Sequence, residues 1–172
     1  MNTPSVSRLR EILEYDHETG HLTWKRRDKA APGWNGRYAG KAAFTSDSGS
    51  GYRVGAADGR KLYAHRVAWA IHYGEWPDII DHINGDRSDN RLANIRNVCA
   101  TENARNCSLK KNNQSGFHGV TWSRQFQKWR ATITVNRKSI HIGLFDTSSE
   151  AMAARATYER EAGFHHNHGR LA

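Results

Sequence analysis

The chain has 172 residues, 37% of them hydrophobic, and its 26 Lys and Arg against 17 Asp and Glu give a formal net charge of +9. That balance favours a polyanionic partner, nucleic acid before an anionic membrane surface, and two small cores over one large one. No apolar run nears the ~18 residues of a membrane span, and the charged start MNTPSVSRLREILEYD lacks the apolar segment of a secretory signal. The expectation is a cytosolic protein. Cys99 and Cys107, with no CxxC, read as buried reduced thiols and not as a disulfide framework or a four-cysteine zinc site.

Thr3-Pro4 suits a helix entry, and Val6, Leu9, Ile12 and Leu13 follow at helical spacing, which predicts an amphipathic helix over 4–14. Asp16–Gly20 breaks it, and His21–Lys25 alternates as a strand. Residues 30–50, rich in Gly, Ala and Ser, read as a long irregular connection. A hairpin follows, Tyr52–Ala56 and Lys61–Ala64 about a turn at Asp58-Gly59. His65–Tyr73 is a helix with Gly74 as its C-cap, and His65 reads as a packing residue.

The stretch Asp78–Asn106 carries the chemistry. A strand ends in Asp81-His82, a polar turn follows at Asn84-Gly85-Asp86, and a second strand runs about Ile95–Val98. A helix then opens near Thr101 with Asn103 in its first turn. A carboxylate, an adjacent imidazole and a side-chain amide 22 residues on supply oxygen ligands for a cation and a base for water. Asn90 reads as a turn residue and Asn106 as a surface amide.

From Asn103 to Phe145 there is no acidic residue, while Arg105, Lys110, Lys111, Arg124, Lys128, Arg130, Arg137 and Lys138 are cationic. Such a run favours a phosphate-tracking surface. Residues 108–115 read as a linker. Residues 116–145 read as three strands. In the second, Trp129, Ala131, Ile133 and Val135 face one way and Arg130, Thr132, Thr134 and Asn136 the other. In the third, Ile140 and Ile142 are expected inward, with Ser139 and His141 outward. A helix over Ser148–Ala162, capped by Ser148, is expected to lay Ala151, Ala154 and Tyr158 on this sheet. Trp122 and Trp129 read mainly as core. His165, His166 and His168 lack the second ligand pair that zinc sites use, so no structural zinc is expected.

The run HRVAWAIHYGEWPDIIDHINGDRSDNRLANIRNVCATENARN resembles the phage and intron-encoded branch of the HNH nucleases, with the three-part signature on His82, Asn94 and Asn103. The resemblance covers about residues 60–110 and implies a ββα-metal core within an α+β fold. It implies that Asp81 and Asn103 hold one divalent cation, Mg²⁺ or alternatively Mn²⁺. His82 is then the general base, and Asn94 braces the loop that orients it. The products are a 5′-phosphate and a 3′-hydroxyl. Asn103 stands where the commonest HNH pattern has a final histidine, which favours Mg²⁺ or Mn²⁺ over Zn²⁺.

Residues 115–169 are similar to the ethylene-response-factor (Apetala-type) DNA-binding domain, through Gly119-Val120, Trp129, Gly143-Leu144-Phe145 and the alanine-rich helix. That similarity implies contacts to double-stranded DNA from the outer sheet face. His118, Thr121, Ser123, Thr132, Thr134 and His141 are the matching positions, with Arg124, Arg130 and Lys138 nearby and Arg105, Lys110 and Lys111 on the preceding segment.

The organisation expected is a nuclease domain over 1–107, the linker 108–115 and a sheet-plus-helix domain over 116–172. A phage- or intron-encoded enzyme of a bacterial host cell, bound to DNA as a monomer, would cut one strand per site. Double-strand cleavage then requires a dimer or two events. The competing reading is a non-catalytic, sequence-specific DNA-binding regulator. An RNA-binding module would need exposed stacking aromatics on the sheet, and the face assigned here is mostly Ser, Thr and His.

Overall fold

The computed structural model describes residues 3–104, 106, 109, 113, 115–136, 138–164 and 168. The fold is α+β, built from small antiparallel sheets and short helices. The chain divides into two compact units, Met1–Cys99 and Ala100–Ala172. Among the described residues no helix is long and apolar enough to cross a membrane.

In the first unit, helix α1 (Val6–Ile12) is shorter than its apolar pattern predicts. Ser5, not Thr3, caps it by accepting from the Arg8 amide at 3.2 Å. Leu13 has already turned extended to begin β1 (Leu13–Tyr15), which pairs with β2 (Leu22–Trp24). Pairing with a strand thus overrides helical periodicity at the last turn. Residues 30–50, expected to be irregular, contain α2 (Trp34–Tyr38), β3 (Ala42–Ala43) and β4 (Ser46–Asp47). These elements are too short for periodicity to reveal. β3 joins β2, and β4 joins the hairpin of β5 (Arg53–Ala57) and β6 (Arg60–Tyr63). Asp58 and Gly59 take positive φ, 47° and 74°, as a two-residue hairpin turn requires.

Helix α3 (Ala64–Tyr73) ends at Gly74, whose φ of 88° is the left-handed C-cap. Its Val67 and Ala70 close a core with Leu9, Ile12, Leu13, Leu22 and Phe44. Each fully buried aliphatic of this kind contributes about 1.5–3 kcal/mol. The opposite turn of α3 gives Ala68 to a smaller cluster with Ile80 and Ile95. Those two belong to β7 (Ile79–His82) and β8 (Ile95–Val98), a two-stranded ladder that pairs Asp81 with Arg96 and His82 with Ile95. Cys99, expected to be buried, is exposed just past β8. Cys107 lies outside the described residues.

The second unit opens with α4 (Ala100–Ala104), where Asn103 is exposed. In chain order β7, β8 and α4 give the strand–strand–helix succession. Then come β9 (Val120–Ser123), β10 (Lys128–Val135) and β11 (Lys138–Phe145), an antiparallel sheet ordered β11-β10-β9, and α5 (Ser148–Glu161). Val120, Ala131 and Ala151 form the buried centre of sheet and helix.

Four details differ from the sequence expectation. Trp122, read mainly as core, is 44% exposed on β9. The cap of α5 is Thr147, whose hydroxyl accepts from the Glu150 amide while Glu150 accepts from the Thr147 amide, both at 3.2 Å. Ile140 pairs with Ile133 yet stays 40% exposed, two positions from the end of the ladder. Tyr158 is 41% exposed, and Arg155 is the buried residue below Ala151, because the inward stripe steps by four from 151 to 155. Gly119 makes room for it: a Cβ there would lie 2.8 Å from Arg155 Nε and would overlap the Thr132 carbonyl.

Candidate active site

The polar run after His82 folds on its own side chains. Asn84 Oδ1 accepts from the Asp86 amide at 2.8 Å, and Asp86 Oδ1 accepts from the Ser88 amide and hydroxyl at 2.9 and 2.7 Å. Short Asx side chains make such turns because they reach the backbone two residues on. Arg91 grips Asp89 at 2.7 and 2.8 Å and holds that carboxyl down at about 2. Asn94 is buried and ties the two ends of the run: its Oδ1 accepts from the Asn84 amide at 2.9 Å and its Nδ2 donates to the Asp89 carbonyl at 2.8 Å. The Ile83 amide donates to the Asn94 carbonyl at 2.8 Å.

Asn90, also buried, brings this loop to the imidazole. Its Oδ1 lies 3.3 Å from His82 Nε2 and accepts from the tautomer protonated there. The N-terminal hairpin clamps the loop from outside. Tyr15 donates to the Asn90 carbonyl at 2.8 Å, and the Leu92 amide donates to the His17 carbonyl at 3.1 Å. Gly20, at φ 76°, approaches so closely that a Cβ there would sit 2.5 Å from the Arg91 amide nitrogen.

Burial pushes the His82 imidazole below its ordinary value; the Asn90 hydrogen bond and the charge of Asp81 oppose that without reversing it. His82 is therefore neutral at neutral pH, the state a proton acceptor needs. The ring packs edge-on to His65 at 5.1 Å and lies 5.9 Å from Tyr52. His65 is buried, its Nδ1 has no hydrogen-bond partner among the described residues, and burial pushes it down to about 3. Next to His82, Asp81 is buried and its Oδ2 accepts from Arg96 Nε and Nη2 at 2.9 and 2.7 Å. The site thus offers a buried carboxylate and a neutral imidazole on consecutive residues at a strand end.

Residues 62–105 match the family model described as HNH endonuclease. Over 76 residues the chain is also 36% identical to "Protein 3.8" of Escherichia phage T7, across 43% of this chain and 63% of that protein. It therefore spans only part of that relative's length. No solved structure matches.

Within the matched segment, Asp81, His82 and Asn94 lie in the first unit, and Asn103 lies on α4 of the second. Among the described residues no group of three or more His, Cys, Asp or Glu is disposed to hold a metal. Asn106, expected at the surface, is 2% exposed, and its amide donates to the Asn103 carbonyl at 3.1 Å. Arg105, Lys110 and Lys111 lie outside the described residues, as do His165 and His166. In the sheet unit, Thr121, Arg124, Arg130, Thr134, Lys138 and His141 are exposed, while Ser123 and Thr132 are half-buried. The Thr132 amide donates to the Gly119 carbonyl at 2.8 Å. His118 precedes β9 and stacks on His168 at 4.7 Å.

Arg96 and Tyr15 are the site residues that sequence reasoning did not single out, and Asn90, read as a turn residue, also reaches the imidazole. Asn90 sits inside the polar run as one more turn former, and nothing in spacing distinguishes an amide that reaches an imidazole. Arg96 was accessible through strand register, since the residue opposite Asp81 follows once β7 and β8 are aligned.

Proposed function

We propose that the chain is a divalent-metal-dependent HNH endonuclease of phage or homing type, hydrolysing phosphodiester bonds in double-stranded DNA to a 5′-phosphate and a 3′-hydroxyl. The observation that carries this reading is the buried, neutral His82 beside Asp81 within the segment matched to the HNH family. His82 accepts the proton of the attacking water. Asn90, on a loop braced by Asn94, holds the ring, and Arg96 orients the Asp81 carboxylate. The donors are hard oxygens, which suit Mg²⁺ or Mn²⁺. Asp81 would hold the ion, and Asn103 joins it in the proposal on its place in the signature alone. A bound cation supplies Lewis-acid stabilisation of charge on the phosphate and the leaving 3′ oxygen.

The second unit is proposed to bind DNA through Thr121, Ser123, Arg124, Arg130, Thr134, Lys138 and His141. The exposure of all of these but Ser123 and the positive charge of Arg124, Arg130 and Lys138 support it. Nicking of supercoiled plasmid with Mg²⁺, arrested by EDTA, tests the nuclease. DNA binding with no cleavage in Mg²⁺ or Mn²⁺ leaves the regulator reading in its place. Replacing Lys110 and Lys111 by Ala should weaken binding on all sequences. It should also flatten the log K against log salt slope by roughly one unit per lost phosphate contact. An unchanged slope puts the phosphate contacts elsewhere.

A further inference from the structure

Outside residues 62–105, the first unit holds a cavity of about 460 Å³ walled by Trp24, Arg27, Trp34, Tyr38 and the β5–β6 turn at Asp58 and Gly59. We propose that this cavity receives an unstacked nucleobase of a single-stranded nucleic acid.

Helix α2 buries none of its residues. It is a single turn, too short to be stable alone. Two contacts of Asn35 hold it: Oδ1 accepts from the Arg27 amide at 3.0 Å and Nδ2 donates to the Arg27 carbonyl at 2.7 Å. This staple displays Trp34 and Tyr38, one helical turn apart, with ring centroids 5.3 Å from each other. Trp24 meets Trp34 edge-on at 5.7 Å. The Arg27 guanidinium lies 3.9 Å from the Trp34 ring centroid and 5.2 Å from that of Trp24. Its Nε is buried without a hydrogen-bond partner among the described residues, so stacking holds it there.

The ordinary explanation for clustered aromatics is core packing. Trp24 does lean on the hydrophobic core, but Trp34 and Tyr38 are not part of it, and Tyr38 is 39% exposed. Protein cores close to crystal-like density, whereas these rings surround open space. Aromatic faces and a guanidinium plane are the surfaces on which unpaired bases stack. The segment that carries these rings is cationic, which favours the attached phosphates: between residues 25 and 41 stand Lys25, Arg26, Arg27, Lys29, Arg37 and Lys41 against Asp28 alone. The carboxylate at the turn, Asp58, is already held by Arg8 at 2.9 and 3.2 Å. A neutral sugar would gain nothing from this charge, and a lipid would find rings and a guanidinium where it needs aliphatic walls.

The test uses the full chain in EDTA, so cleavage does not enter the readout and the result is independent of the nuclease reading. The probes are a short oligothymidylate carrying one 2-aminopurine and its oligouridylate counterpart. Binding should quench the 2-aminopurine. Trp34→Ala and Tyr38→Ala should each weaken single-strand binding about tenfold, one base-stacking interaction's worth, and Trp34→Phe should recover most of it. A blunt duplex should bind both Ala variants as it binds the wild type. Loss in both the deoxy and ribo arms means the base alone is read; loss in one arm adds recognition of the sugar. If Trp34→Ala lowers the melting temperature, the exposed Tyr38 decides. No quenching by the wild type, an unchanged affinity of Tyr38→Ala, or an equal loss on the duplex overturns the proposal.

Discussion

The loop after His82 and the interior of the C-terminal sheet both bury polar side chains, and they treat them differently. In the loop, Asn90 and Asn94 each reach a named partner at hydrogen-bonding distance, so several weak bonds define one geometry around an imidazole. Beneath the sheet, Arg155 and Glu159 lie 2.9 Å apart as an ion pair, yet Arg155 Nε and Nη1 and Glu159 Oε1 make no hydrogen bond among the described residues. Burial pushes the Glu159 carboxyl up despite Arg155 and pushes the Arg155 guanidinium down despite Glu159. Desolvation therefore outweighs attraction in that pair. In the loop, satisfied polar burial specifies position; in this ion pair, under-satisfied burial costs stability.

The largest effect should come from the satisfied side. His82→Ala should lower cleavage about 10²–10⁴-fold while leaving DNA affinity nearly intact. Wild-type turnover by that variant removes the proton-acceptor role. On the other side, Glu159→Leu alone should cost about 3–5 kcal/mol in urea denaturation by stranding Arg155, while Arg155→Met with Glu159→Leu should be near neutral. A double variant as damaged as the single one would give the pair a positive contribution to stability and dissolve the contrast.

Asn94→Leu should cost about 1–3 kcal/mol, because it leaves the Asn84 amide and the Asp89 carbonyl without their partner. A loss of only a few tenths would mean that the Asx turns brace the loop unaided. The gentlest probe is pH. His65 sits at about 3 in the fold against an ordinary 6.5. Between those values the unfolded chain binds a proton that the fold excludes, so stability is lost as pH falls from 6.5 towards 3. The loss should be on the order of 2 kcal/mol by about pH 4.5. His65→Leu should flatten that acid limb in urea midpoints, and an unaltered limb would assign it to another group.

Strands ending at His82 and beginning at Ile95 were legible because β-branched residues flank a run of turn formers. The β5–β6 hairpin was legible through Asp58-Gly59, and α3 through its stripe and Gly74. The two short strands and single helical turn between residues 30 and 50 were not, since two to five residues carry no period. The inward stripe of α5 was misread because alanines stand on several of its faces; only the gap at Gly119 decides that Arg155 goes in and Tyr158 stays out.

By itself the sequence determined the order of the longer elements, the positive charge and the chemical types at Asp81, His82, Asn94 and Asn103, because these depend on spacing and side-chain identity along the chain. Only the tertiary structure decided that Asn90 meets the imidazole, that Arg96 holds the carboxylate, that the Tyr15 hairpin clamps the loop and that Trp24, Arg27, Trp34 and Tyr38 enclose a cavity. Those are side-chain contacts between separate elements, and no local propensity encodes which partner a side chain finds.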